Sequence, residues 1–194
     1  AYHRSGSLKT QTCTDTYAHG LFFDVVAKNQ RVVITGIKTG CHPWMVRERL
    51  DVSVYTFSRG YKDGSAPDIS ASCKDWVLVG ATSGKANWAG LPPISIFDAN
   101  PAYGSIQLRE AIVVGPGCSR SVCILTDNRY GLVLRKDTGV SANDKSDEDE
   151  DLEIRAGWIS GSKQFPSFAH DGTLARNKVA ACFVGVLEYR VMSD

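Results

Sequence analysis

The sequence predicts an all-β protein: an antiparallel β-sandwich, jelly-roll-like, disulfide-stapled and with little helix. Three observations carry that expectation. Short runs of β-branched and aromatic residues recur along the chain, 18 glycines punctuate its 194 residues, and no stretch shows an apolar stripe at helical spacing. Regularly spaced strands with turn signals and no intervening amphipathic helices favour about eight to ten strands in two layers over a βαβ arrangement.

Residues 21–27 (LFFDVVA) and 31–37 (RVVITGI) read as strands, with Lys28-Asn29-Gln30 as the turn between them. In 50–57, Leu50, Val52, Val54 and Thr56 alternate with Asp51, Ser53 and Tyr55, the pattern of a half-buried strand. Residues 76–81, 105–114, 121–126 and 130–135 continue the series, with Asp127-Asn128 as the last turn, and 183–191 closes it. Gly/Pro/Ser-rich loops are expected at 58–74 and 83–101.

With 43% apolar residues the chain can bury one core, so 1–194 is read as a single domain. Residues 1–20 are its N-terminal extension and 143–150 an acidic loop. A net charge of +1 and the lack of a basic stripe argue against nucleic acid and anionic membranes as partners. No stretch approaches the roughly 20 consecutive apolar residues of a membrane helix, so no membrane insertion is expected. Ala1-Tyr2-His3-Arg4 lacks a signal peptide's apolar segment, and Ala1 in place of Met is what removal of a targeting segment leaves.

Cys13, Cys41, Cys73, Cys118, Cys123 and Cys182 form an even set without a CxxC pair, and the four histidines do not complete zinc-finger spacing. Disulfides are therefore expected rather than zinc. The pairing expected is Cys118–Cys123 across a short loop, Cys13–Cys182 between the terminal strands, and Cys41–Cys73 as the remainder. Such bridges imply an oxidising compartment, secreted or extracellular, with an organelle lumen as the alternative.

No Gly-x-Ser-x-Gly elbow, phosphate-cradling glycine loop or EF-hand register occurs, so no catalytic residues are assigned and no enzyme activity is expected. Residues 143–153 carry seven carboxylates against one lysine. Like-charge runs are usually solvated, so this one is read as a mobile surface loop, with strand resuming near Leu152. Asp144, Asp147 and Asp149 are the oxygen donors if the loop holds calcium weakly. Trp44, Trp88, Trp158, Tyr61 and Tyr103 fall in expected loops, where aromatics either plug the ends of a sandwich or stack on a ligand. Tyr61, Trp88 and Tyr103 are the anchors expected for a protein or glycan contact, and Trp76 belongs to the core.

The order of segments resembles a β-rich module of secreted and cell-surface proteins of bacteria, algae and other microbial eukaryotes. Phe23-Asp24-Val25-Val26-Ala27, Ile34-Thr35-Gly36, Val52-Ser53-Val54-Tyr55-Thr56 and Trp76-Val77-Leu78-Val79 follow the order of that module. Asp151-Leu152-Glu153-Ile154, Phe165-Pro166-Ser167-Phe168 and the closing Phe183-Val184-Gly185 with Tyr189 continue it. The resemblance implies a non-catalytic extracellular module and transfers no catalytic residue. This chain departs from the pattern in its cysteine content, in 39–49 and in its acidic run.

The function expected is that of a structural or adhesive module acting through protein–protein assembly or self-assembly, without a cofactor other than the calcium considered above. A carbohydrate-binding module is one alternative and would need co-facial exposed aromatics. A soluble subunit docked on a larger complex in an organelle lumen is the other.

Overall fold

The computed structural model describes residues 2–11, 14–57, 76–82, 89–90, 103–136, 139–160 and 179–193. Cys13, Tyr61, Cys73 and Trp88 lie outside the described residues, as do the 58–74 loop and nearly all of 83–101. Strands run in chain order as β1 (Tyr2–Lys9), β2 (Thr16–Ala18), β3 (Gly20–Ala27), β4 (Arg31–Cys41), β5 (Val52–Phe57), β6 (Trp76–Thr82) and β7 (Ala89–Gly90). They continue as β8 (Gly104–Ile106), β9 (Ile112–Val114), β10 (Ser119–Thr126), β11 (Leu132–Arg135), β12 (Lys145–Glu148), β13 (Leu152–Ser160), β14 (Ala180–Phe183) and β15 (Val186–Met192). A 3-10 turn over Pro43–Arg47 follows β4.

The strands form two sheets. The smaller runs β1-β15-β4-β7, with β8 and β9 also on β4, and the larger runs β2-β11-β14-β13-β3-β10-β5-β6, with β12 on β13. Among the described residues all pairings are antiparallel except the two-residue β4–β7 contact. The all-β class and the antiparallel sheets thus agree with the reading of the sequence.

Strand alternation explains the core. On β3, Leu21, Phe23, Val25 and Ala27 enter a cluster that also takes Ile34, Ile37, Leu187 and Val191 from the smaller sheet. Phe23 and Phe183 stack at its centre, ring centroids 5.1 Å apart. Burying each such side chain stabilises by about 1.5–3 kcal/mol, so this cluster is the main attraction between the sheets. Phe22, on the opposite face of β3, joins Phe57, Trp76, Cys123 and Leu125 in a second cluster. Strands β3 and β10 are therefore buried on both faces, which is why they read as continuous apolar runs.

The 28–30 turn joins two strands as read, and it carries the chain from the larger sheet (β3) to the smaller (β4). Several expectations are corrected. The single strand expected at 183–191 divides: β14 pairs in the larger sheet and β15 in the smaller. The division falls at Gly185, where a Cβ would collide with the Lys38 carbonyl oxygen, so only glycine lets the chain cross between sheets there. The 105–114 segment is two short strands, and the 1–20 extension supplies β1 and β2.

The acidic run is also not a loop throughout. Lys145–Glu148 forms β12 against β13, and the side chains of Asp147 and Asp151 are shielded from solvent. The objection to burying carboxylates holds only without cationic partners, and this chain provides them. Arg135 pairs with Asp147 at 3.5 Å, Lys28 with Glu148 at 2.5 Å and Arg4 with Asp151 at 2.6 Å.

The expected Cys118–Cys123 bridge is absent: both are free thiols, as is Cys41. Cys118 immediately precedes β10 and Cys123 lies within it. Extended residues alternate faces and rise about 3.3 Å each, so the two thiols are on opposite faces roughly 16 Å apart along the strand. A disulfide needs Cα atoms about 4.4–6.8 Å apart. Cys182 is buried in β14. The partners expected for Cys182 and Cys41 are outside the described residues.

Candidate functional site: an aromatic ledge after strand β4

Where β4 ends, the sequence His42-Pro43-Trp44-Met45 turns the chain sharply. Proline at the first position fixes φ for the turn and has no N–H to leave unpaired. His42 acts as the cap: its Nδ1 accepts the Trp44 backbone N–H at 3.1 Å. Its own N–H donates to the Tyr130 carbonyl oxygen at 2.9 Å, and its carbonyl accepts from the Met45 N–H at 2.8 Å. Met45 points into the core and is buried, which forces Trp44 outward, where it is 74% exposed.

Four rings from three parts of the chain meet here. The imidazole of His42 lies 4.6 Å from Tyr17 of β2, 4.7 Å from Trp44 and 5.2 Å from Tyr130 of the β10–β11 turn, measured between centroids. Trp44 and Tyr130 meet at 6.1 Å. Arg129 stacks on the Tyr130 ring at 4.8 Å. Asn128 sets the turn, its Oδ1 accepting from the Tyr130 N–H at 2.9 Å. The rings are inclined to one another by 56° to 70°. Such edge-to-face contacts fix ring positions, so a rigid support presents one bare indole.

Burial holds the neighbouring ionisable groups neutral. Cys41, directly before His42, has its thiol pushed up to about 11. Burial also raises Tyr17 above the ordinary phenol value, against a hydrogen bond with Thr14 that lowers it. Neither is poised as a nucleophile near neutral pH.

A second polar concentration surrounds the β12–β13 turn. Tyr189 of β15 donates to Asp149 Oδ2 at 2.6 Å and approaches Asp151 Oδ2 at 3.2 Å. Asp149 Oδ1 accepts the backbone N–H groups of Asp151 and Leu152. Asp147 Oδ1 accepts from the Gln11 N–H, and Asp144 Oδ2 from the Ser141 N–H. The three carboxylates proposed as calcium donors thus face different partners. No group of three or more metal-ligating side chains converges among the described residues. Lys145 and Lys28 hold the exposed Glu148 carboxyl down to about 2.

The third concentration is inside the larger sheet. Asp24 of β3 is buried between its cross-strand neighbours Ser121 of β10 and Arg155 of β13. The Ser121 hydroxyl donates to Asp24. Burial pushes the Asp24 carboxyl up to about 6, against that hydrogen bond and the attraction of Arg155. With Asp24 and Ser121 buried and Arg155 only partly exposed, this trio supports the sheet.

Of the anchors expected from sequence, Tyr103 is partly buried and packs with Tyr17 against Val133 and Val184. That packing is of the plug kind rather than the ligand-platform kind, while Trp158, expected in a loop, is half-buried within β13. Tyr61 and Trp88 are outside the described residues, though Ala89–Gly90, next to Trp88, pairs with Gly40–Cys41 just before the ledge. From sequence Trp44 is one loop aromatic among five, and the expected anchors do not single it out. The available signal was the capping residue followed by proline and then a lone tryptophan. No protein-family model matches this chain, and the curated proteins contain no match to it.

Proposed function

We propose that this chain is a non-catalytic binding module that assembles with protein through the Trp44 ledge. The observation that carries the reading is a tryptophan 74% exposed on a support of three inclined rings. Tryptophan, tyrosine and arginine dominate interface hot spots, and Trp44, Tyr130 and Arg129 are adjacent here. A fixed indole loses little conformational freedom on docking, which favours affinity.

The architecture proposed around it is a sandwich, supported by one apolar cluster shared between the two sheets; jelly-roll wiring is what the family resemblance implies. That resemblance also supports placement outside the cell. The cysteine argument for it is weaker, since Cys118 and Cys123 are unpaired. A carbohydrate platform is disfavoured, because the ledge rings are inclined and offer a sugar no co-facial pair.

Replacing Trp44 by the photo-reactive p-benzoylphenylalanine in the full chain tests the reading. Irradiation in the native extract is expected to cross-link position 44 to a protein surface, either a second copy or a different chain, identified by peptide mapping. Trp44→Ala is expected to weaken that association by about thirtyfold, as for a hot-spot residue, with melting unchanged. Capture of glycan alone, or undiminished association of Trp44→Ala, would overturn the protein contact. Reproducible turnover by the purified protein would end the non-catalytic reading.

A further inference from the structure

We infer that His42 is an acid-sensitive pin for the ledge: protonating it releases the Trp44 backbone and weakens whatever Trp44 binds. The binding half of this statement rests on the function proposed above, while the pin itself rests on geometry alone.

The 3-10 turn is held at its start by one side-chain acceptor, His42 Nδ1, which takes the Trp44 N–H. Neutral imidazole has a single acceptor nitrogen, and imidazolium has none. No rotation of a protonated ring can restore the bond, so proton uptake removes the cap outright. The rings of Tyr17, Trp44 and Tyr130 all lie within 5.2 Å of the imidazole, so loss of the cap acts directly on the support of the ledge. The two charge states therefore differ in one contact: the neutral ring caps the turn, and the cation cannot accept the Trp44 N–H.

The other ionisable groups around the pin are the Tyr17 phenol of β2, the Cys41 thiol of β4, and Tyr130 with Arg129 from the β10–β11 turn. Phenols, thiols in apolar surroundings and guanidinium keep their charge between pH 5 and 8, the interval in which histidine changes its own. Loss of one cap shifts a local equilibrium about fivefold.

The test uses the full chain labelled with 5-fluorotryptophan, the Trp44 signal being assigned by its absence in Trp44→Phe. Between pH 8 and 5 the Trp44 fluorine resonance is expected to move in one titration step. In His42→Asn it is expected to stay near the high-pH position, because the Asn carbonyl caps without titrating. In His42→Ala it is expected near the low-pH position throughout. A Trp44 resonance that ignores pH in the parent, or titrates equally in His42→Asn, overturns the pin. The measurement needs no partner. If Trp44 titrates as stated yet Trp44→Ala associates normally, the pin stands and the binding surface falls. If both hold, association of the parent at pH 5 should be about fivefold weaker than at pH 8, and that of His42→Asn unchanged.

Discussion

Gly6 of β1 lies under the ring of Tyr189, its cross-strand partner on β15, so close that a Cβ at Gly6 would overlap the ring. The absence of a side chain on the edge strand lets Tyr189 stay buried and reach Asp149 and Asp151 beside the larger sheet. Gly6→Val is therefore expected to destabilise by about 1–3 kcal/mol through overpacking. Tyr189→Phe, which removes a hydrogen bond to a carboxylate, is expected to cost about 1.5–3 kcal/mol. Urea melts of single and double variants check the coupling. In a Tyr189→Ala background most of the Gly6→Val penalty should vanish, and an undiminished penalty would show that the ring is not what excludes the side chain.

The buried pair of Arg135 and Asp147 anchors the acidic strand β12. Asp147→Ala leaves the guanidinium buried without that partner, for which the expected loss is about 3–5 kcal/mol. Arg135→Met combined with Asp147→Leu should recover most of it, since an apolar pair of similar volume replaces both charges. Excess calcium is expected to leave the melting point of the parent unchanged, because the carboxylates of Asp144, Asp147 and Asp149 already accept from protein donors. A rise of several degrees that Asp144→Asn abolishes would restore a calcium site.

Asp24 sets the direction of the pH dependence above pH 5. Its carboxyl is raised from 3.8 to about 6 in the folded state, chiefly by burial. Between those values the folded protein holds a proton that the unfolded chain has released, so stability falls as pH rises. The penalty is complete above about pH 7 and amounts to roughly 3 kcal/mol at most. Glu148 has the opposite sign: its carboxyl is lowered from 4.5 to about 2, so its contribution is present above pH 4.5 and is lost as pH falls toward 2. Asn at position 24 keeps an acceptor for Ser121 without a charge. Thermal melts should show Asp24→Asn gaining on the parent from pH 5 to pH 7.5, and a constant difference across that range would contradict the assignment.

What sequence disclosed and what it concealed follow from the range of the interactions. The alternation of Leu50, Val52 and Val54, and the apolar run of β3, are local patterns, and both strands formed, the first of them starting at Val52 rather than Leu50. The division at Gly185 was hidden because it depends on a contact with Lys38, far away in sequence. The acidic run misled for a related reason: its charges are adjacent, while Arg4, Lys28 and Arg135 come from other strands and turns. Trp44 could be seen as a loop aromatic, but its support could not, since Tyr17 and Tyr130 reach it only through the fold.

The cysteines give a prediction that separates two histories of this chain. Cys118 is exposed and unpaired, whereas Cys41 and Cys123 are buried with their thiols raised by that burial. The thiolate is the reactive species and must meet the reagent, so exposure favours reaction, and apolar burial suppresses it. In the native protein Cys118 should react with a thiol-specific disulfide reagent promptly, Cys41 and Cys123 only after denaturation. Peptide mapping of the labelled protein identifies which did. A linked Cys118–Cys123 peptide would require β10 to be broken in the native state and would contradict the strand register with β3. If Cys118 is labelled as expected, an unpaired surface thiol is available for pairing between molecules in an oxidising compartment. In that case Cys118→Ser should abolish covalent dimers formed on mild oxidation while leaving any association through Trp44 intact.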